Sequence, residues 1–245
     1  MLLKTAAALS AVLALSACQK VEDEAFGARV RAYLLEHPEL LREMMVKLEQ
    51  KEQLELAKNT AATLTKVRAQ LERDPRDLVV NPAGKITVVE FADYNCGYCK
   101  LVAPDVARLV EENPDVRFVF KEFAFQTPHS IAAAKIMLTP AGKAQGFRLH
   151  RAFMAQKPLN AETIDRILRD AGLDPAAVRK ASEDPAIERQ LLDVQTLGRS
   201  IGVDGTPGFV VGDRIIAGAD IAALRAAIAE AKSRAAGPTV AAAGR

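Results

Sequence analysis

A chain of 245 residues with 49% hydrophobic content is long enough to bury a substantial core, and it reads as one main domain with an appendage. Its 33 basic and 31 acidic side chains leave a formal net charge of +2, which argues against nucleic acid or another polyanion as a partner. The three cysteines, Cys18, Cys96 and Cys99, are too few and too unevenly placed to staple a fold of this size.

Lys4 precedes the apolar run Thr5–Leu15, which Leu15-Ser16-Ala17-Cys18 closes. Residues 1–17 thus have the charged head, short apolar middle and small-residue exit of a secretory signal. The run is too short to span a bilayer comfortably. Its last four residues resemble the bacterial lipobox, in which Cys18 receives lipid and becomes the new N-terminus. Ordinary cleavage nearby, with Cys18 incidental, is the alternative; Leu15 suits that pattern poorly, which favours lipidation at Cys18. Either route puts the mature protein outside the cytosol.

Val21–Leu35 is a charged amphipathic segment broken by His37-Pro38, because proline disfavours helix at the residue before it and suits the first turn of the next. A long helix is predicted from Pro38 to about Glu72, with Asp74-Pro75 as its stop. Leu41, Met45 and Leu48 share one face. After the polar patch Glu49–Gln53 the apolar set resumes as Leu54, Ala57, Ala61, Leu64 and Leu71, with Arg68 at one core-type position. So narrow a stripe on so charged a helix needs a partner surface. Residues 18–76 are therefore expected to form a helical oligomerisation region; packing on the chain's own later domain is the alternative. Asp74–Lys85 reads as a linker, with a turn at Asn81-Pro82-Ala83-Gly84.

Ile86–Phe91 is a predicted strand, Cys99–Glu112 a helix and Val116–Phe125 the next strand, in which Val116, Phe118 and Phe120 alternate against Arg117, Val119 and Lys121. This is a βαβ unit with the cysteine pair at the exit of its first strand. Residues 130–201 are expected to be a helical insertion, with segments Ser130–Leu138, Ala144–Met154, Ala161–Ala171, Pro175–Ala181 and Pro185–Leu197. Phe209–Val211 and Arg214–Ile216 flank the hairpin-type pair Gly212-Asp213, and Asp220 caps a last helix to about Ala235. The small-residue tail 236–245 is expected to fray.

Two cysteines at this spacing either bind a metal or cycle between dithiol and disulfide. A four-ligand zinc site needs a second close-spaced pair, which His37, His129 and His150 do not supply. A Cys96–Cys99 disulfide closes a loop too small to stabilise the fold much, so its purpose is chemical. At the first turn of a helix Cys96 meets unsatisfied N–H groups and the positive end of the dipole. These favour the thiolate, bring its pKa below the free value of about 8.5 and make Cys96 the attacking sulfur. Cys99, one turn deeper, attacks back to release a mixed disulfide. His129 carries no motif and is read as surface or helix-capping.

Taken together over residues 80–235, strand, Cys-x-x-Cys helix, strand, helical insertion, Thr206-Pro207 loop, hairpin and terminal helix resemble the thioredoxin superfamily in its DsbA-like branch. The implied fold class is α/β: a thioredoxin fold over 77–129 and 202–235, interrupted by the insertion 130–201 and preceded by the long N-terminal helical segment. Gly202–Gly212 looks like the family's cis-proline loop and following strand. The resemblance implies that Pro207 is cis and faces Cys96, with the backbone of Thr206 free to pair with an extended substrate strand. It also implies that Glu90 is a buried acid relaying protons beneath the cysteines, with Lys121 as its partner; a solvent-facing edge position is the alternative. Phe26–Leu40, a long charged helix and then Val88–Lys100 are similar to the suppressor-of-copper-sensitivity C proteins over nearly the whole mature chain. That likeness implies a periplasmic disulfide isomerase that oligomerises, with trimers among its members, and a link to copper tolerance.

The combined reading is a thiol–disulfide oxidoreductase acting mainly as an isomerase on misfolded or wrongly bonded exported proteins. A membrane thiol reductase keeps it reduced, it is a homo-oligomer, trimeric by the likeness, and it needs no cofactor beyond a redox-active Cys96–Cys99 disulfide. Its rivals are a DsbA-like oxidase with the same site residues and a Cu(I)-binding protein using Cys96 and Cys99 as soft thiolate ligands.

Overall fold

Ile86–Ala92 and Val116–Glu122 carry apolar residues on both faces, the pattern of strands covered on both sides, and they pair in parallel at the centre of a five-stranded sheet. The computed structural model describes residues 25–236. The expected signal, Cys18 and the tail beyond Ala236 lie outside them. In chain order the elements are helical residues 25–36 (α1), Glu39–Glu72 (α2), Leu78–Val80 (β1), Ile86–Ala92 (β2), Gly97–Glu112 (α3), Val116–Glu122 (β3), Pro128–Leu138 (α4), Pro140–Met154 (α5), Ala161–Asp170 (α6), Pro175–Ala181 (α7), Pro185–Ser200 (α8), Gly208–Val211 (β4), Arg214–Ala217 (β5) and Ile221–Ala236 (α9). None of the described helices is long and apolar enough to cross a membrane.

The chain divides into two units at Leu56 and Ala57, inside α2. In the first, α1 closes at His37-Pro38, where the His37 N–H bonds Tyr33 O at 2.9 Å. Phe26, Val30, Tyr33, Leu35, Leu41, Met44, Met45, Val46, Leu48 and Leu54 are all exposed there.

In the second unit the sheet order is β1-β3-β2-β4-β5, antiparallel except for β2 and β3. Strand alternation sorts its side chains onto two faces. Val88, Phe118, Phe120, Phe209 and Val211 meet Val102, Val106 and Leu109 of α3 and Leu224 and Ile228 of α9. Val89, Phe91, Val119 and Val210 meet Leu64 and Leu71 of α2 and Val194 and Leu197 of α8. Helices α4 to α7, with part of α8, build a third cluster that includes Cys96 and Cys99.

Two expectations about the helical region need correcting. The domain boundary falls near residue 57 rather than 77, because Leu64 and Leu71 are fully buried in the sheet's core and Arg68 bonds Asp213 Oδ1 at 2.6 Å in the β4–β5 turn. The stretch read as a linker contains β1, which pairs Leu78 with Phe120 and Val80 with Phe118. The turn after it is as expected, with the Gly84 N–H bonding Asn81 O at 2.9 Å. A Cβ at Gly84 would lie 2.2 Å from the Arg117 nitrogen, so only glycine lets this turn pass β3.

Candidate active site

The β2 strand ends at Ala92, and the turn that follows is built on one carboxyl group. Asp93, fully buried, accepts from the Asn95 N–H at 2.7 Å through Oδ1 and from the Phe125 and Gln126 N–H groups at 2.8 and 3.0 Å through Oδ2. It thereby fixes the entrance to α3 against the loop after β3. Asn95 adds a clamp: its Nδ2 donates to Thr127 Oγ1 and Leu159 O, and its Oδ1 accepts from the Leu159 N–H at 3.2 Å. Lys100 Nζ donates to Gln156 O, so both flanks of the cysteine pair hold the 156–159 loop of the helical insertion.

Cys96 is the N-cap of α3, and its sulfur accepts from the Cys99 N–H at 3.4 Å. The Cys96 thiol lies 3.2 Å from Thr206 O as donor, and the Thr206–Pro207 bond is cis. The cis-proline loop therefore faces the nucleophile as the resemblance implied. Hydrogen bonding from the Cys99 thiol, helped by Thr206, the Cys99 N–H and Gln126, holds Cys96 down at about 5 against the opposing effect of burial. The Cys99 thiol moves the other way, pushed far up by giving its hydrogen to Cys96 and by burial. One sulfur is thus an anion at neutral pH while its neighbour keeps its proton, the asymmetry that directional exchange requires.

Glu90 is buried beneath this pair. Its Oε2 has no hydrogen-bond partner, and desolvation pushes the carboxyl up to about 8. Its charge also helps raise Cys99. The expected Lys121 partner is absent for a geometric reason: Glu90 is in register with Phe120, so Lys121 points to the opposite face of the sheet. There Lys121 Nζ is buried, donating to Gln70 O and Asp77 Oδ2 at 2.5 Å each. Burial raises Asp77 to about 6 even beside that ammonium.

The acid that does share Glu90's face is Glu122, in register with Ala92 and buried. The Tyr94 hydroxyl donates to Glu122 Oε1 at 2.9 Å and lies 3.0 Å from His150 Nδ1. Burial raises Glu122 well above the usual carboxylate range and drives His150 down to about 3, which keeps the imidazole neutral. Sequence reading missed Tyr94, Glu122, His150, Asp93 and Gln126. Strand parity was the available signal for Glu122, two residues past Phe120 on the side of Glu90; His150 and Gln126 had none. His129 is exposed in the first turn of α4, which Thr127 caps. Tyr98 and Leu101 on α3 and Phe125 on the loop after β3 are exposed apolar residues, and among the described residues no cluster of three or more His, Cys, Asp and Glu is arranged to hold a metal ion.

A nucleophilic N-cap cysteine, a buried resolving cysteine and a facing cis-proline on this sheet define a thioredoxin-fold dithiol centre. The DSBA-like thioredoxin domain profile matches residues 87–229, so the chain belongs to that family, and its centre is that of a thiol–disulfide oxidoreductase. A second profile, the copper resistance protein ScsC N-terminal domain, matches residues 22–55. Among solved structures, BcfH of Salmonella enterica Typhimurium is 30% identical with a TM-score of 0.67, covering 89% of this chain and 99% of its own. A thioredoxin-like oxidoreductase from Silicibacter pomeroyi is 33% identical with a TM-score of 0.64, covering 68% and 98%. Proteus mirabilis ScsC, in a transitional conformation, is 25% identical with a TM-score of 0.62, covering 87% and 98%. The chain spans a quarter or less of the curated relatives it matches; one of these, the Na(+)/H(+) antiporter NhaA 3 of Salinispora tropica, is 32% identical over 64% of this chain and 25% of its own length.

Proposed function

We propose that the protein is a periplasmic disulfide isomerase of exported proteins that works as a homotrimer. The observation that carries this reading is the pairing of a DsbA-like dithiol domain with an ScsC-type N-terminal segment whose apolar residues are exposed. The Cys96 thiolate attacks a wrong client disulfide, forming a Cys96–client bond and expelling a client thiolate. Another client thiolate then attacks the client sulfur of this mixed disulfide, forming a new client disulfide and expelling Cys96 as the thiolate it began as, so isomerisation needs no net oxidant. When a client stalls, Cys99 gives its proton to the minor fraction of Glu90 that is ionised at neutral pH and attacks Cys96, releasing the client reduced and leaving a Cys96–Cys99 disulfide. A membrane thiol reductase then restores the dithiol. The extended client strand lies along the Thr206 backbone, with exposed apolar residues such as Tyr98 and Leu101 of the α3 turn available to its side chains.

Several catalytic faces around one cavity would hold a client while its disulfides are retried, and would hinder a partner built to oxidise single domains. Export to the periplasm with lipid attachment at Cys18 rests on the N-terminal sequence, and the link to copper tolerance on the ScsC-type match. The test is refolding of a substrate with scrambled disulfides by the full mature chain and by a chain starting at Ala57. The full chain is expected to restore native disulfides while the shorter one exchanges without isomerising well; equal isomerase activity in both would remove the role given to the N-terminal segment. A preference for making disulfides in a reduced substrate would instead favour the oxidase reading.

A further inference from the structure

Helix α5 is flanked by two cavities, one of about 560 Å³ against α3 and one of about 200 Å³ against α6, and Arg148 and Ala152 line both. Small apolar residues leave room for the larger one, with Ala103, Pro104 and Ala107 of α3 lining it beside Ala152. The cations around this groove are only partly balanced from within the protein. Arg108 and Arg151 each pair with a nearby carboxylate, Asp105 and Glu111, at 3.3 Å. Lys100, Arg148 and Arg166 instead meet neutral acceptors. Lys100 Nζ donates to Gln156 O, Arg166 to Gln156 Oε1 at 2.8 Å, and Arg148 to Gln145 Oε1 and, at 3.5 Å, to Ala171 O. Asp170, in the smaller cavity, is the one lining carboxylate outside those pairs. Three cations therefore face one acid.

We propose that this groove binds an acidic, extended segment of the protein whose disulfide is exchanged at Cys96. Carboxylates of the segment meet Arg148, Arg166 and Lys100, and its small side chains lie on the alanine and proline floor. An apolar floor between separated cations suits a peptide better than a lone anion, and a formal net charge of +2 gives no broad field for a long polyanion. Distance points to the same occupant. Helix α3 begins directly after Cys96, and at about 1.5 Å per residue the stretch from Cys96 to Ala107 spans about 16 Å. An extended chain covers that in about five residues, so acids about three to six residues from the partner's reacting cysteine reach the groove. The inference rests on thiol–disulfide exchange at Cys96 and holds whether the centre isomerises or oxidises.

The probes are synthetic peptides whose single cysteine is in a mixed disulfide with thionitrobenzoate, with glutamates or glutamines about three to six residues to one side of it or the other. Cys96 of the reduced mature chain attacks the peptide sulfur and expels thionitrobenzoate, read by its visible absorbance. Cys99 then displaces the peptide, its proton ending on the peptide thiol, so the protein loses two electrons and the probe gains them. At low salt the glutamate peptide of one orientation is expected to react about five- to tenfold faster than its glutamine twin, and the ratio to fall toward one in about 0.5 M chloride. Arg148→Gln combined with Arg166→Gln should cut that ratio about threefold or more, with the glutamine peptide reacting as before. Arg189→Gln combined with Arg199→Gln removes the same charge from exposed positions of α8 that line neither cavity, and should leave the ratio in place. Equal rates for glutamate and glutamine peptides would overturn the proposal, as would an equal loss in both double variants, the mark of net charge alone. A preference removed by inorganic phosphate but not by chloride of the same ionic strength would identify a small-anion site and overturn it too. No exchange with any peptide would strike the dithiol reading itself and this inference with it, an outcome distinct from equal rates.

Discussion

Before Leu56, helix α2 leaves Leu41, Met44, Met45, Val46, Leu48 and Leu54 exposed, whereas after Ala57 it buries Leu64 and Leu71 completely against β2, β3 and α8. The two stretches share one continuous helix and a similar apolar spacing. What separates them is the second surface. From Ala57 onward the helix meets a sheet face shaped by Val89, Phe91 and Val119, and polar anchors fix its register: Arg68 to Asp213, and Lys121 to Gln70 O at the helix end. Apolar periodicity announces that a helix will pack, and leaves open against what.

That contrast breaks most visibly at the buried ion pair. Lys121→Met strands Asp77 without its cation and should cost about 3–5 kcal/mol in urea unfolding; a neutral result would mean that the anchor at the end of α2 is dispensable. Leu64→Ala or Leu71→Ala should cost about 2–5 kcal/mol each, as filled core positions do. By contrast, Leu41→Ala and Met45→Ala should change the unfolding of a dissociated chain by less than about 0.5 kcal/mol. Equal costs in the two stretches would erase the comparison.

Burial that rewards leucine penalises an acid on the sheet's other face. Glu90 has a folded value of about 8 against an ordinary 4.5, so between these values the unfolded chain binds fewer protons. Its contribution is complete below about pH 4 and declines as pH rises toward 8. Glu90→Gln should therefore stabilise the protein at pH 7 by about 3 kcal/mol and leave it unchanged near pH 4, read by urea unfolding at both. The same variant should slow release of a Cys96 mixed disulfide, because Cys99 loses its proton acceptor. A variant that is neither more stable nor slower at pH 7 would remove Glu90 from the site.

The sequence was most informative where chemistry is local. Cys96 at a strand-to-helix exit, Pro207 before an apolar strand and the helical insertion stand where their patterns put them. Glu90 was legible as a charge in an apolar run. Its surroundings were not, because they depend on register: Lys121 is nearer in the residue pattern, yet Glu122 shares the face, and Tyr94 and His150 arrive from a turn and from α5. β1 was hidden because Leu78–Val80 is short and sits among prolines and charges. The boundary at 57 was hidden because one unbroken helix crosses it.

The central claim is that α2 changes role near Ala57, from association surface to core. Sedimentation equilibrium of the mature chain beside one beginning at Ala57 tests it most directly. The mature chain is predicted to sediment as a trimer and the shorter chain as a folded monomer. A mature chain that sediments as a monomer, or a shorter one that keeps the same oligomer, would contradict the account.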